Sequence, residues 1–305
     1  MRIAGIFTIL GLVTAATAPA HAQSWIEDAL RQALDSGAYC GRQAAAIEGS
    51  VARLRDVDLP ASGRFIFVNT AAQSLTAYQD GDPVLQSRVV VGKDGWETPD
   101  FSTGTTFVEF NPTWNVPKSI ARSSGMFDRD EAWLERQDMD VRLADGRVVA
   151  PDASSRGQVV GFVQRPGPDN ALGRVKIGLA GTGGILLHDT NDPTAFGAGA
   201  RALSHGCIRV EAAAEVAAFV LERGTDEARM AMDAGTTVRE QASVPVVVAY
   251  FTALPDETGQ IVFFEDIYGR DPAASSTCEG RPEAVDNQYR DEPAGGVVWR
   301  EREVR

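Results

Sequence analysis

Residues 204–209 read Ser-His-Gly-Cys-Ile-Arg, and a second histidine, His188, precedes them by a short interval. A thiol with imidazoles close to it in the chain supplies the two groups that a cysteine nucleophile and its base require. Cys207 is therefore the candidate nucleophile, and the stretch predicts acyl transfer through a thioester. We expect a mainly β fold with some α-helix, in which His188 comes from a different strand and His205 lies two residues before Cys207.

The Cys207 thiol needs activation, because a free thiol with a pKa of about 8.5 is only a few per cent ionised at neutral pH. A helix predicted directly after Cys207, over residues 211–222, would bring its positive end to the sulfur. The amides of Gly206 and Cys207 are candidates for an oxyanion hole. The residues alone leave both His188 and His205 open as the base.

The first 22 residues have the features of a secretory signal peptide. Arg2 precedes a short apolar run over residues 3–18, and Ala20-His21-Ala22 offers a cleavage site before Gln23. The run is too short to span a bilayer, for which about 20 apolar residues are needed. We expect cleavage after residue 22, a periplasmic location, and no integral membrane segment in the mature chain.

The cysteine count fits an oxidising compartment. Cys40, Cys207 and Cys278 are the three cysteines of the chain, and an odd number suggests one pair and one reactive thiol. The polar surroundings of Cys40 and Cys278 favour a disulfide that joins the two ends of the mature chain, with two unpaired thiols as the alternative.

Composition excludes some classes of partner. The chain of 305 residues has a net charge of −13 and no lysine-rich or arginine-rich run, which argues against nucleic acid and against attachment to anionic lipid. With 44% hydrophobic residues it can fill the core of one large domain with appendages.

Periodicity predicts an N-terminal helical segment, a region of strands that contains an insertion, and a polar tail. Residues 23–60 form a helical segment with a break near Gly37, and residues 271–305 form a polar tail that we expect to be partly disordered. Between them, residues 119–157 are polar and weakly periodic and predict a lid insertion with helical fragments near 130–136. Strands are predicted over 64–69, 74–78, 83–91, 105–110, 174–178 and 184–188, and a terminal hairpin is predicted from 244–253 and 261–268.

The motif at 204–209, preceded by His188-Asp189-Thr190, resembles the signature of the L,D-transpeptidase (YkuD-type) catalytic domain. Three flanking stretches resemble the larger branch of that family typified by YcbB, and the similarity covers about residues 64–270. The resemblance implies a β-sandwich catalytic domain with a lid insertion. The flanking stretches are Phe-Asn-Pro-Thr-Trp-Asn-Val-Pro at 110–117, Pro-Gly-Pro-Asp-Asn-Ala-Leu-Gly-Arg-Val-Lys at 166–176 and Asp-Ile-Tyr-Gly-Arg at 266–270.

The resemblance also implies an activity on peptidoglycan stem peptides. In the family, the cysteine attacks the carbonyl of the third stem residue, usually meso-diaminopimelate, and expels the terminal D-alanine. The amine of a second diaminopimelate then takes the acyl group and forms a 3-3 cross-link. Carried over to this chain, Cys207 is the nucleophile, His188 the proton donor and acceptor, His205 a supporting residue, and the Asp189 backbone carbonyl the group that orients His188.

Two departures from the larger family members concern substrate recognition. This chain contains no separate peptidoglycan-binding module, and residues 119–157 are short for a capping subdomain.

Other residues near the motifs have both a candidate functional role and a purely structural one. Arg209 either holds a stem carboxylate or forms an internal salt bridge, and Trp114 either lines the donor cleft or packs. Ser204 either donates to the sulfur and substrate or caps a turn. Asn170 and Gly173 are interpreted as turn residues.

Several alternatives use the same residues. Water as acceptor would make the protein an L,D-carboxypeptidase or an endopeptidase, and an outer-membrane protein as acceptor would be attached to the wall. A zinc site built from His188, His205 and Cys207 lacks a fourth ligand, so we expect no metal and no cofactor. A non-catalytic wall-binding protein would not need an intact cysteine with both histidines.

Overall fold

The computed structural model describes residues 22–274, which contain six α-helices and sixteen strands. The helices are α1 (Ala22–Asp35), α2 (Gly41–Leu54), α3 (Lys118–Ser123), α4 (Glu131–Arg136), α5 (Ala213–Leu221) and α6 (Thr225–Asp233). The strands are β1 (Arg64–Asn69), β2 (Ser74–Gln79), β3 (Asp82–Gly92), β4 (Phe101–Phe110), β5 (Trp114–Asn115), β6 (Met139–Leu143), β7 (Val148–Val149), β8 (Val159–Gln164), β9 (Val175–Leu179), β10 (Leu186–His188), β11 (Ala202–Ser204), β12 (Ile208–Val210), β13 (Val238–Gln241), β14 (Pro245–Ala249), β15 (Ala253–Pro255) and β16 (Ile261–Phe263).

Ten of these strands form one continuous sheet in the order β11-β3-β12-β10-β9-β4-β14-β1-β2, with β13 added on β4. An additional pairing of β2 with β3 returns the path to its start. The long strands β3 and β4 therefore belong to both halves of the sheet, and the apolar faces of the two halves enclose the core. The mainly β fold with some α-helix is confirmed.

The core explains why these segments take these forms. Apolar residues of β1, β3, β9 and β14 and nearly the whole of α5 are buried together in one cluster. Except for Glu215, which pairs with Arg229, all residues of helix α5 are apolar, as expected for a helix surrounded by protein. It packs against β4 and β9 and so supports the central part of the sheet.

The predicted N-terminal helical segment is present as α1 and α2, which are separated near Gly37 as expected. Their apolar sides pack on the hairpin of β15 and β16 in a cluster that includes Leu30, Ile47 and Phe263. The N-terminal segment is therefore joined to the C-terminal part of the described chain.

The insertion is a folded subdomain and larger than the polar stretch predicted from sequence. Strands β5, β8, β6 and β7 form a separate sheet, and α3 and α4 pack with it around an apolar cluster of its own. The short strands were missed because their period-two signal covers few residues; in β6 only Met139, Val141 and Leu143 are buried. The subdomain leaves the main sheet at the end of β4 and returns at the start of β9.

The predicted terminal hairpin is partly wrong. Strand β14 pairs parallel with β1 and antiparallel with β4 inside the main sheet, and only β15 and β16 form a hairpin. The apolar run over 244–253 hid this division because it contains two strands, separated where Asn69 bonds the backbone of Phe251. Residues 264–268 are not a strand, and α6 and β13 were not predicted.

Some predictions fall outside the described residues. The signal peptide lies there except for residue 22, as do Cys278 and residues 275–305 of the tail, so the disulfide of Cys40 with Cys278 stays a prediction. Among residues 22–274, none of the helices has the length and apolar character that a membrane-spanning helix requires.

Candidate active site

His188 ends β10, and Cys207 directly precedes β12, the adjacent parallel strand. In the pairing of β10 with β12, Leu187 lies opposite Ile208 and His188 lies opposite Arg209. Leu187 and Ile208 are fully buried in the core, so His188 and Arg209 project from the other face, because side chains alternate along a strand. Cys207 directly precedes β12 and, two residues before Arg209, is expected on the same face as His188.

The His188 ring is held by the next residue. Its Nδ1 lies 2.6 Å from the backbone carbonyl oxygen of Asp189. A carbonyl oxygen only accepts hydrogen bonds, so Nδ1 carries the proton and Nε2 has a free lone pair. This is the contact that the family resemblance implied for Asp189, and it makes Nε2 the proton-accepting atom of the ring.

His188 is neutral at neutral pH. Burial lowers the pKa of His188 from 6.5 to about 4, and the positive charge of Arg209 acts in the same direction. The hydrogen bond with the Asp189 carbonyl opposes this shift without cancelling it. An imidazole in this state can take a proton at any pH above about 4.

Cys207 is a free thiol. Burial raises the pKa of Cys207, and the Leu186 amide and the charge of Arg209 oppose that rise only in part. The Sγ atom lies 3.7 Å from the carbonyl oxygen of Gly184, and no Sγ–Nε2 hydrogen bond is found within the described residues. The resting groups are therefore a neutral thiol and a neutral imidazole.

The predicted helix contribution to the thiol is wrong. Strand β12 (Ile208–Val210) lies between Cys207 and α5, which begins only at Ala213. Three residues of extended chain span about 10 Å, and a helix terminus acts mainly over its own first turn. The positive end of α5 therefore does not lie at the sulfur.

The turn before Cys207 corrects the predicted oxyanion hole. The Gly206 amide donates to the Ser204 hydroxyl at 3.1 Å, and that hydroxyl donates to the Cys207 carbonyl at 2.6 Å. Ser204 therefore caps the turn, and its bonds go to the backbone rather than to the sulfur. Because the Gly206 amide is engaged, the Cys207 amide is the remaining donor of the predicted pair.

Arg209 is half-buried, and within residues 22–274 its guanidinium forms no ion pair or hydrogen bond, so the internal salt bridge considered from sequence is not found there. Burial lowers the pKa of Arg209, while Asp192 and Cys207 raise it through their charges. The group keeps its positive charge at neutral pH, because an arginine pKa lies far above that range.

The described side-chain contacts of His205 and Trp114 are with aromatic and apolar groups. The ring of His205 stands edge-on to Trp96, with the ring centroids 4.9 Å apart, and burial lowers the pKa of His205, aided by Lys93 and Arg209. Trp114 is half-buried and packs against the apolar cluster of the insertion.

Asp189 has a structural task besides its carbonyl. Its carboxylate accepts the Arg174 amide at 2.8 Å and lies where a side chain at Gly173 would be, 2.4 Å from the position of a Cβ atom. Asn170 is buried and bonds the carbonyls of Pro112 and Arg165. Asn170 and Gly173 are thus turn residues, and they join the insertion to the segment after His188.

Two further features were missed by sequence reasoning. Lys176 lies opposite both His188 and Glu109, and Glu109 lies opposite Arg239, so one row of polar side chains crosses four strands from the candidate base. Thr98 is fully buried beneath the Ser204–Cys207 turn. A polar residue in a strand and a threonine in a loop carry no signal in one sequence that would mark them.

Within residues 22–274, no three side chains of histidine, cysteine, aspartate or glutamate are grouped so that they could hold a metal ion.

The family model of the L,D-transpeptidase catalytic domain, YkuD, matches residues 63–248 and thus contains every residue of this site. The chain belongs to the L,D-transpeptidase catalytic-domain family. A Haemophilus influenzae protein named as a candidate L,D-transpeptidase is 33% identical over 217 residues, which are 68% of this chain and 44% of that protein. The chain therefore spans less than half the length of this L,D-transpeptidase relative.

Solved L,D-transpeptidases are more distant. L,D-transpeptidase 1 of Mycobacterium tuberculosis is 15% identical, with 62% of each chain covered and a TM-score of 0.28. A Mycobacterium smegmatis L,D-transpeptidase is 15% identical, with 62% of this chain and 59% of that chain covered and a TM-score of 0.31. A variant of the Enterococcus faecium L,D-transpeptidase is 13% identical, with 62% and 50% covered and a TM-score of 0.32.

Proposed function

We propose that this protein is a periplasmic peptidoglycan L,D-transpeptidase in which Cys207 is the nucleophile and His188 the proton acceptor and donor. Membership of the family supports the peptidoglycan substrate. The observation that carries the cysteine mechanism is the orientation of His188 by the Asp189 carbonyl, next to the strand that follows the free Cys207 thiol. Periplasmic location rests on the signal-peptide features of residues 1–22.

In the first step Sγ attacks the carbonyl carbon of the third stem residue while Nε2 of His188 takes the thiol proton. The tetrahedral oxyanion is stabilised by the Cys207 amide. The bond from that carbon to the nitrogen of D-alanine then breaks, and His188 returns the proton to the leaving nitrogen. The products are a thioester on Cys207 and free D-alanine.

In the second step the side-chain amine of a second diaminopimelate attacks the thioester carbonyl. His188 accepts a proton from that amine, the carbon–sulfur bond breaks, and the proton returns to the sulfur. A 3-3 cross-link forms and the free thiol is restored. A neutral imidazole suits both steps, because it must accept a proton and release it within one cycle.

Arg209 supplies the recognition of a stem carboxylate in this proposal. Its cation has no ion-pair partner among residues 22–274 and lies on the strand that follows Cys207. Most of the other arginines that the structure describes near the site are paired, for example Arg174 with Asp233 and Arg239 with Glu109. An unpaired guanidinium fits a carboxylate with two parallel hydrogen bonds.

The insertion is proposed to cover the donor cleft. The insertion leaves the main sheet after Phe110 and rejoins it at Val175, and these two residues are paired. That pair lies one position along the strands from the polar row of Glu109, Lys176 and His188. Asn191, just after His188, also bonds the carbonyl of Asp169 at the base of the insertion. A cover at this end would keep water from the thioester and favour the amine as acceptor.

The decisive experiment incubates purified disaccharide-tetrapeptide with the wild type and with Cys207→Ala and follows the muropeptides by mass spectrometry. We expect 3-3 dimers and free D-alanine from the wild type and neither product from Cys207→Ala. His188→Gln should lose the activity as well, and Arg174→Met is the matched control, because Arg174 pairs at the surface with Asp233.

Each other outcome selects another function. Tripeptides without dimers would indicate an L,D-carboxypeptidase, and cleavage of supplied 3-3 dimers would indicate an endopeptidase. Attachment of an added outer-membrane protein to the wall would indicate a protein acceptor. Unchanged activity in Cys207→Ala would contradict the cysteine mechanism in all of these forms.

A further inference from the structure

The Thr98 side chain links the Ser204–Cys207 turn to the end of β3. Its hydroxyl donates to the carbonyl oxygen of Gly206 at 3.0 Å and accepts the amide of Gly92, at the end of β3, at 2.9 Å. Thr98 has no solvent exposure, so water cannot replace either bond. A buried backbone group that lost such a partner would cost about 1–3 kcal/mol.

The loop that carries Thr98 is itself held by Tyr268. The Tyr268 hydroxyl donates to the Gly92 carbonyl at 2.7 Å and accepts the Thr98 amide at 3.3 Å. Tyr268 comes from the segment after β16, beyond the residues that match the family model. The C-terminal part of the described chain therefore supports the loop under the turn.

The bond to Gly206 sets the direction of the next amide. The Gly206 carbonyl and the Cys207 amide belong to one planar trans peptide, in which C=O and N–H point in opposite directions. Fixing the carbonyl toward Thr98 therefore points the Cys207 N–H away from Thr98. This turn requires such a restraint because Gly206 has φ +103°. A glycine in this region is not held in one orientation by its own backbone.

The Ser204 hydroxyl restrains the preceding peptide in the same way, by accepting the Gly206 amide. The Cys207 N–H is therefore the donor of this turn that does not bond Ser204, and its direction is set by the bond from Thr98 to the Gly206 carbonyl. We propose that Thr98 is a positioning residue for acylation, which aims the Cys207 amide at the oxyanion of the tetrahedral intermediate. This inference rests on the proposed acyl-transfer function.

Two reactions of the same sulfur separate this role from a structural one. A carbapenem acylates the thiol: Sγ attacks the β-lactam carbonyl, an oxyanion forms, the carbon–nitrogen bond breaks, and the thiol proton passes through His188 to the nitrogen. Iodoacetamide alkylates it: the sulfur displaces iodide from a CH₂ group, His188 takes the thiol proton and passes it to water, and no oxyanion forms. Only the first reaction needs the aimed amide.

The test compares the wild type, Thr98→Val and Thr98→Ser in both reactions by mass spectrometry of the adducts. Thr98→Val keeps the shape and removes the hydroxyl, and we expect acylation slowed by about 10-fold to 100-fold, toward the effect of losing one oxyanion donor. Alkylation should stay within about twofold of the wild type. Thr98→Ser keeps the hydroxyl and should restore most of the acylation rate.

Equal slowing of both reactions, or of neither, would overturn the proposal. If Thr98→Val does not fold, Tyr268→Phe serves instead, because it loosens the Thr98 loop and keeps the Thr98 hydroxyl; it must slow acylation selectively, and equal rates would again overturn the proposal. A wild type that neither reacts with the carbapenem nor converts tetrapeptides would instead refute the proposed function.

Discussion

Lys176 donates to the carboxylate of Glu109 at 2.6 Å across the pairing of β9 with β4, one strand away from His188. The two side chains are only 9% and 6% exposed. Glu109 also accepts Arg239 at 2.6 Å, and the Arg239 guanidinium lies over the Phe107 ring. The polar row beside the candidate base is thus an ion cluster in which one buried carboxylate has two cationic partners, the buried Lys176 and the half-exposed Arg239.

We expect Glu109→Gln to be more destabilising than Lys176→Met. Removing the carboxylate leaves the buried Lys176 charge without a counterion and should cost about 3 kcal/mol. Removing Lys176 leaves Glu109 paired with Arg239, so the loss should be smaller. Urea unfolding at pH 7 measures both, and the reverse order would contradict this account of the cluster.

The same cluster predicts a pH dependence of stability. Burial raises the pKa of Glu109, but the hydrogen bonds and charges of Lys176 and Arg239 outweigh it, and the pKa lies below its ordinary value of 4.5. The stabilisation is therefore complete above pH 4.5 and is lost as the pH falls through the folded-state pKa. The stability difference between the wild type and Glu109→Gln should shrink below about pH 4.5.

His188 predicts the acidic limit of catalysis. Because its pKa is lowered to about 4, the neutral base persists well below pH 6.5, and the rate of carbapenem acylation should fall only near pH 4. The rate is to be measured where circular dichroism shows the native fold. An acidic limb near pH 6.5 would show that His188 is not the buried neutral base.

Gly173→Ala and Gly181→Ala separate steric exclusion from backbone strain. The two glycines have nearly equal φ, +62° and +67°, but a Cβ at Gly173 would lie 2.4 Å from the Asp189 carboxylate, and one at Gly181 meets nothing within 4 Å. Gly181→Ala should cost about 1–2 kcal/mol for the left-handed backbone alone. Gly173→Ala should cost clearly more and slow acylation by displacing the segment after His188, because the Cβ would also lie 2.5 Å from the Thr190 backbone nitrogen. Equal costs would mean that both the Asp189 side chain and the Thr190 backbone yield freely.

Arg209→Met tests the recognition of a carboxylate. Loss of a charge-assisted bond of about 1.5–3 kcal/mol should lower kcat/KM for the tetrapeptide stem by about tenfold to a hundredfold. Arg174→Met is the matched control, because Arg174 pairs at the surface with Asp233. A stem with an amidated terminal carboxylate should be processed equally by the wild type and Arg209→Met; a persistent difference would place the role of Arg209 elsewhere.

Local sequence patterns predicted several helices and strands of the fold correctly. The break between α1 and α2 and the positions of β1, β2 and β3 agree with the periodicity to within a residue or two, because these signals depend on neighbours along the chain. The motif at 204–209 predicted Cys207 as the candidate nucleophile, and its family resemblance favoured His188 over His205 as the base. The divided run over 244–253 was misread because two buried strands in succession have no alternation to separate them.

The sequence by itself determined the family, the mainly β class and the candidate nucleophile, because each depends on residue types at short spacing. Only the tertiary structure showed that β12 separates Cys207 from α5 and that the Ser204 hydroxyl accepts a hydrogen bond from the Gly206 amide. It also placed Lys176 and Glu109 in one polar row with His188 across neighbouring strands. These relations are set by strand register and loop packing between segments far apart in the chain. Periodicity within a segment contains no information about which residue of another segment will lie opposite.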